Sequence, residues 1–345
     1  MILTSPFGYS ELGFSLQIGS KFESILLHQN SKSDVCFQLH HLYRLSNFLT
    51  WSEQCRAGVS ATALAVDKQS SKVIHDGSLN INDWFFIHQA RTNTLPVNGR
   101  PHNALDKRSC RRCGYEIESQ YHVLGPCPAN SYYIINRHNE ILNILYNETI
   151  AINPHWKILR DQKCELLSSL SRVDLQIEIK ERREFWLLDI KTPYDNTDNL
   201  EKTHTDNISK YKTLKNDLKL LLPGWKVILD TFVVGCLGSW RKENDLIMKK
   251  LKFSASSITA IKRRMISSNI QWSHLTWSSH NTLNLVDGAP SYFDLLASNK
   301  ELEEKLNGIY PHRKSYDDEF VSLDMERLKS EIAKITVDKI NPNAI

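Results

Sequence analysis

The chain has 345 residues, of which 41% are hydrophobic and 24% charged, and a formal net charge of +4. That length and apolar content support about two globular domains with an ordinary core, and exclude a fibrous or low-complexity chain. The small positive charge permits a nucleic-acid partner without demanding one, and the apolar run around Val227–Leu237, interrupted by Asp230, is too short to cross a bilayer.

Met1–Leu12 has neither the basic start nor the cleavage site of a signal peptide, so an intracellular protein without a membrane partner is expected. Residues 1 to 35 carry no further pattern. From about 36 to 105, aromatic and aliphatic anchors such as Phe37, Phe48, Trp51, Trp84 and Phe85 predict helices, closed by a basic loop over Arg91–Arg108.

The cysteines are unevenly spread. Of seven, Cys110, Cys113 and Cys127 fall close together while Cys36, Cys55, Cys164 and Cys236 stand singly, a pattern of metal binding in a reducing compartment. Cys110-x2-Cys113-x8-His122-x4-Cys127 offers three thiolates and an imidazole, the ligand count and softness of tetrahedral zinc. Gly114 suits the tight turn after the second cysteine, and with all four positions filled by protein the role is structural. Arg108, Arg111 and Arg112 flank the cluster as candidate phosphate contacts.

A helix is predicted from Ser131 to about Tyr146, with Ile134, His138, Ile141 and Leu145 on one stripe. His138 therefore reads as a hydrogen-bonded core histidine before a catalytic one, and Arg137, at the stripe's edge, as the better candidate to face a nucleic acid. Two strands follow: Leu175, Ile177 and Ile179 alternate with polar residues, and so, after a charged turn at Lys180–Glu184, do Trp186, Leu188 and Ile190. If the apolar sides share one face, opposed residue numbers sum to an odd number, which puts Asp174, Asp189 and Lys191 together on the other face, beside Glu178. Two carboxylates and an ammonium there suit phosphodiester hydrolysis: the acids hold Mg²⁺ or Mn²⁺, and the lysine orients water or meets charge on the phosphate. The same alternation also describes a solvated hairpin face with no chemistry.

Further on, Asn199–Leu222 reads as one long helix, Lys226–Cys236 as a buried strand, and Asn244–Leu251 and Ser254–Ser268 as helices, the second capped by Ser254. Lys262, Arg263 and Arg264 could track phosphates or form a solvated helix face. Trp240, Trp272 and Trp277 read as packing residues. The polar stretch Ser278–Asn284 marks a boundary, and the remaining residues, with one charged amphipathic segment at Phe320–Ile335, read as an interaction tail. Tyr316-Asp317-Asp318 lacks the spacer residue and flanking strand of a polymerase hairpin.

Taken in series, Cys110–Cys127, Arg137-His138-Asn139, Arg172-Val173-Asp174-Leu175, Leu188-Asp189-Ile190, Lys210-Tyr211 and the run Phe232–Trp240 resemble the C-terminal part of the R-two and NeSL-like non-LTR retrotransposon polyproteins. The likeness spans about Phe37 to Trp277. It implies a zinc knuckle followed by a PD-(D/E)xK nuclease that nicks double-stranded target DNA, the exposed 3′ hydroxyl then priming reverse transcription of element RNA in the nucleus. Asp174 and Asp189 match the family's two aspartates, and Lys210 with Tyr211 its downstream lysine–tyrosine step. Two departures stand out: Val173 replaces the usual proline, and Lys191 follows the restriction-enzyme pattern, leaving Lys191 and Lys210 as alternative water-serving lysines. No reverse transcriptase fits ahead of Phe37, so that partner is expected from elsewhere, and a binding remnant that no longer cuts is the competing reading.

The expected fold is α/β: a helical linker over 1–105, a zinc knuckle over 106–130, a restriction-endonuclease-like core over 131–282 and a charged tail over 283–345.

Overall fold

A computed structural model of the chain describes residues 2–4, 10–18, 21–28, 43–44, 46–101, 103–164, 166 and 172–282. The amphipathic segment Phe320–Ile335, the Tyr316–Asp318 triplet and the expected tail lie outside the described residues. Near the N-terminus, where the sequence showed no pattern, the strands β1 (Ile2–Thr4), β2 (Ser10–Ile18) and β3 (Lys21–His28) form an antiparallel meander.

A series of helices follows, as the anchors predict: α1 over described residues 43–44 and 46–52, α2 (Ala61–Ala65), α3 (Lys68–Lys72) and α4 (Ile81–Arg91). Asp67 and Asn80 start the last two by accepting hydrogen bonds from Gln69 N and Asp83 N, satisfying amides that a helix N-terminus leaves unpaired. The short α5 (Gln120–Leu124) carries His122, and α6 (Ser131–Ile152) extends beyond its expected end.

The main sheet is built from β4 (Lys157–Lys163), β5 (Arg172–Ile179), β6 (Glu184–Lys191) and β7 (Lys226–Val233), in that spatial order. The first three run antiparallel, and β7 lies parallel to β6 after a helical crossover. The predicted hairpin is present, with Leu175 opposite Leu188 and Ile177 opposite Trp186, so each apolar pair sums to an odd number. The edge strand β4 was not predicted; mostly exposed, it has no alternation to reveal it. The single long helix expected at Asn199–Leu222 is two, α7 (Thr197–Lys210) and α8 (Lys212–Leu221), hinged at Tyr211. No glycine or proline marks the break; it lets the Tyr211 side chain turn down onto the sheet.

After α9 (Glu243–Lys250), α10 (Ala255–Asn281) begins at Ser254, whose hydroxyl caps Ser257 N as expected. It runs on past Ser268 through the supposed polar boundary, because its polar residues have partners: Ser273 donates to Cys236 O, and His280 and Thr276 are buried. One face of the sheet, with Leu175, Ile177, Trp186, Leu188 and Ile190, joins α6 and α10 in a single core. The other, with Phe185, Leu187, Val227 and Leu229, packs under Tyr211, Leu214 and Leu218 of the α7–α8 segment. Burial on two faces makes an α/β sandwich. Trp240 and Trp277 are packing residues, as read, while Trp272 stays partly exposed. Among the described residues no helix is long and apolar enough to cross a membrane.

Candidate metal centres

The cysteine–histidine segment folds as a compact turn. Gly114, with φ of 74°, closes it, its amide bonding Cys110 O at 2.9 Å while Cys110 N bonds Tyr115 O at 2.7 Å. Ser119 caps α5 through His122 N, and the Tyr115 ring stacks on the His122 imidazole at 4.6 Å. One ligand atom from each of Cys110, Cys113, His122 and Cys127 lies within 4.8 Å of all the others. Cys110 Sγ is 3.9 Å from Cys127 Sγ, and Cys113 Sγ is 3.2 Å from His122 Nε2. Zn–S bonds near 2.3 Å make a tetrahedral edge of roughly 3.8 Å, which the Cys110–Cys127 separation matches. Burial and the neighbouring cysteines push the Cys127 thiol up to about 12, a cost that a divalent cation relieves by binding the thiolate. This group could hold a zinc ion.

The segment is not a free-standing knuckle. Glu118, fully buried, pairs with Arg111 at 2.7 Å and with His280 at 3.1 Å, and Arg111 also reaches Asn281 Oδ1 at 2.7 Å. Burial opposes ionisation of Glu118, but His280, Arg111 and the amides of Arg111 and Asn98 outweigh it and hold its carboxyl at about 2. The end of α10 is thereby tied to the cluster.

The second site lies where β5 and β6 stop pairing, beyond Leu175 and Leu188. Asp189 and Lys191 share the expected face and touch through Asp189 Oδ2 and the ammonium. Asp174 departs from the expected parity. The β4–β5 ladder skips it opposite Asp161, which has a φ of 51°, and alternation breaks there: Val173 packs beside Phe185 and Leu187, not beside Leu175. The Asp174 carboxylate instead enters the seam between the strands, accepting from Ile190 N at 2.6 Å and from His138 Nε2 at 3.1 Å. The two acids still sense each other. Burial and the Asp174 charge push Asp189 up, against Lys191 and Tyr211. Burial also opposes the ionisation of Asp174, but His138, Ile190 N and Lys191 overcome it and hold its carboxyl below the usual range.

The two candidate lysines are separated by the geometry. Lys191 contacts Asp189 directly, whereas Lys210 Nζ lies 2.9 Å from Tyr211 Oη, which in turn donates toward Asp189 Oδ1 at 3.1 Å and Arg172 O at 2.8 Å. Glu178 stays at the other end of β5, its nearest ion pair being Lys180. Among the described residues, three or more ligand atoms of His, Cys, Asp or Glu cluster only around Cys110. At the carboxylate site Asp174 and Asp189 are the two acids, and no third such group completes a cluster among the described residues.

Several expected DNA contacts need correction. Arg137 is 1% exposed; its guanidinium donates to Leu124 O at 2.8 Å, Ser273 Oγ at 3.1 Å and Thr192 O at 3.2 Å. Lys262 is buried between Asp67 and Asp245, each at 2.8 Å. The helical stripe marks which residues face the core but not that a long cation on its flank can find internal acceptors. Arg111 is committed to Glu118, and Arg91, expected in the basic loop, is buried on Leu237 O and Ser70 O. Arg108 is partly buried on backbone carbonyls, while Arg112, Arg263 and Arg264 are exposed, the last two paired with Asp76 and Glu148. His138, read as a core residue, contacts the candidate site. Asp195, missed by sequence reasoning, is fully buried and accepts from Leu237 N and Ser239 N (2.7 Å), fixing the loop after β7.

No family model matches the chain. It is 25% identical over 182 residues, 52% of this chain and 37% of the relative, to a "Retrovirus-related Pol polyprotein from type-1 retrotransposable element R2" of Popillia japonica. A second polyprotein with that description, from the same organism, is 39% identical over 60 residues, 17% of this chain and 14% of the relative. The chain thus spans well under half the length of these curated relatives, and its similarity to them supports a retrotransposon-related protein.

Proposed function

We propose that the chain is a Mg²⁺-dependent DNA endonuclease with a restriction-endonuclease-like core, nicking double-stranded target DNA so that the new 3′ hydroxyl primes copying of element RNA. The observation that carries this reading is the Asp189–Lys191 pair at the open end of β5 and β6, with the Asp174 carboxylate held on the amide of the adjacent Ile190, in a homologue of retrotransposon polyproteins. A polymerase would be a partner or another part of a polyprotein, and a genomic substrate would place the reaction in the nucleus.

Asp174 and Asp189 would hold the ion, which when bound polarises the scissile phosphate and acidifies a water. The chain's own residues prepare the rest. His138 and Ile190 N fix one carboxylate, and Tyr211 fixes the other. Lys191, a third exposed, is placed to orient water and to meet charge developing on the phosphate. Lys210 acts one bond further out, through the Tyr211 hydroxyl. Arg108, Arg112, Arg263 and Arg264 are the remaining candidates for phosphate contacts, and the zinc cluster is structural.

One observation favours the rival reading of a binding remnant: the Lys191 ammonium rests directly on the buried Asp189, an ion pair that also suits a purely structural role. Nicking of supercoiled plasmid with Mg²⁺ separates the two. Wild-type cleavage that falls about a thousandfold in Asp189→Asn supports the nuclease, the loss of several kcal/mol of metal-assisted stabilisation. Binding without cleavage in both proteins sinks it.

A further inference from the structure

We propose that His280, near the end of α10, is an outer-sphere partner of the zinc centre, so that zinc binding and the seating of that helix end are one linked equilibrium. The inference needs only the cysteine–histidine cluster and is independent of the nuclease reading.

His280 is fully buried, and its ring has a defined set of neighbours. Nδ1 lies 3.0 Å from Asn130 Nδ2 and 3.4 Å from Asn130 Oδ1. Asn130 Nδ2 also donates to Val123 O at 2.9 Å, so its second hydrogen points at the imidazole and makes Nδ1 the acceptor. The hydrogen then belongs on Nε2. That nitrogen faces Glu118 Oε2 at 3.1 Å and Cys110 Sγ at 3.9 Å, and the three ligand atoms lie within 4.8 Å of one another.

The arrangement has a charge logic. Three thiolates exceed the charge of one Zn²⁺, and the ionised Glu118 adds a further negative charge in a buried place. Two groups answer it. Arg111 covers the outer side of Glu118, and the His280 N–H sits between the carboxylate and the Cys110 sulfur. A donor aimed at a ligating sulfur fixes the ligand's orientation and spreads its charge, and such outer partners affect metal affinity strongly. Here the donor comes from a helix 170 residues along the chain from Cys110. Any zinc affinity it adds must return as stability of the α10 end, because linkage is reciprocal.

The test uses the full chain, with zinc affinity read by competition against a chromophoric chelator and geometry by the absorption of the Co²⁺-substituted protein. His280→Ala is expected to weaken zinc binding about ten- to a hundredfold. His280→Gln, whose amide nitrogen can stand near the lost Nε2, should recover part of that loss. His274→Gln is the control for helix packing, since it removes the 2.7 Å contact with Asp83 from the same helix without touching the cluster. It should leave the affinity within about twofold of wild type. Chelation should also speed amide exchange at 276–281 more than in the first half of α10. Unchanged zinc affinity in His280→Ala, equal losses in the His280 and His274 variants, or exchange at the helix end indifferent to zinc would each overturn the proposal. If the alanine variant does not fold, the glutamine variant and the exchange measurement decide.

Discussion

The two candidate centres are assembled in opposite ways. The cysteine–histidine cluster draws its four candidate ligands from eighteen consecutive residues, so chain connectivity brings them together and only one turn and one short helix are needed. The carboxylate site takes Asp174 and Asp189 from neighbouring strands, Lys191 from the end of β6, His138 from α6 and Tyr211 from the α7–α8 hinge. It exists only once the sandwich has closed. A site built from local contacts should fail locally, and one built from distant contacts should fail with the fold.

Zinc removal tests the first half of that contrast and should give the largest effect. Structural zinc contributes on the order of 10 kcal/mol of apparent binding free energy in small zinc modules, so chelation should unfold residues 110–127. Exchange in β5–β7 should stay slow, and melting of that sheet together with the cluster would break the comparison.

The next largest effect is expected at Arg137, the residue the two regions share. Arg137→Ala strips donors from Leu124 O, Ser273 Oγ and Thr192 O and should lower stability by about 3 kcal/mol in denaturant titration. Arg137→Lys should recover little, because one ammonium cannot span three divergent acceptors. A change within about 0.5 kcal/mol, as at an ordinary surface position, would return Arg137 to the exposed role its sequence position suggested.

The smallest effect sharpens the distant site. If Lys191 acts directly and Lys210 through Tyr211, Lys191→Ala should slow nicking about a hundredfold and Lys210→Ala about tenfold. Tyr211→Phe should abolish the effect of changing Lys210, a double-mutant cycle that fails if the two act independently.

The same contrast explains what the sequence disclosed. The cysteine–histidine cluster was legible because its signal is spacing along the chain. The hairpin register was legible too, since a strand buried on one face has no freedom to slip by one residue. Parity failed at Asp174, because the irregular backbone at Asp161 on the neighbouring strand is not written in β5. His138 is the hydrogen-bonded, largely buried histidine its stripe suggests, but the stripe does not name its partner Asp174, which lies 36 residues away. Asp195 and His280 gave no local signal, because their partners lie dozens to more than a hundred residues away.

The Arg137 guanidinium also bears on how this protein can be taken apart. It sits at one corner with an acceptor on α5, another on α10 and a third just past Lys191, so α5, the third-last turn of α10 and the end of β6 share a single rivet. Cutting the chain between the cysteines and the sheet would leave Leu124 O and Thr192 O stranded on separate pieces. Neither portion is a transplantable cassette, and a chimera that swaps one would have to import the arginine's whole neighbourhood with it.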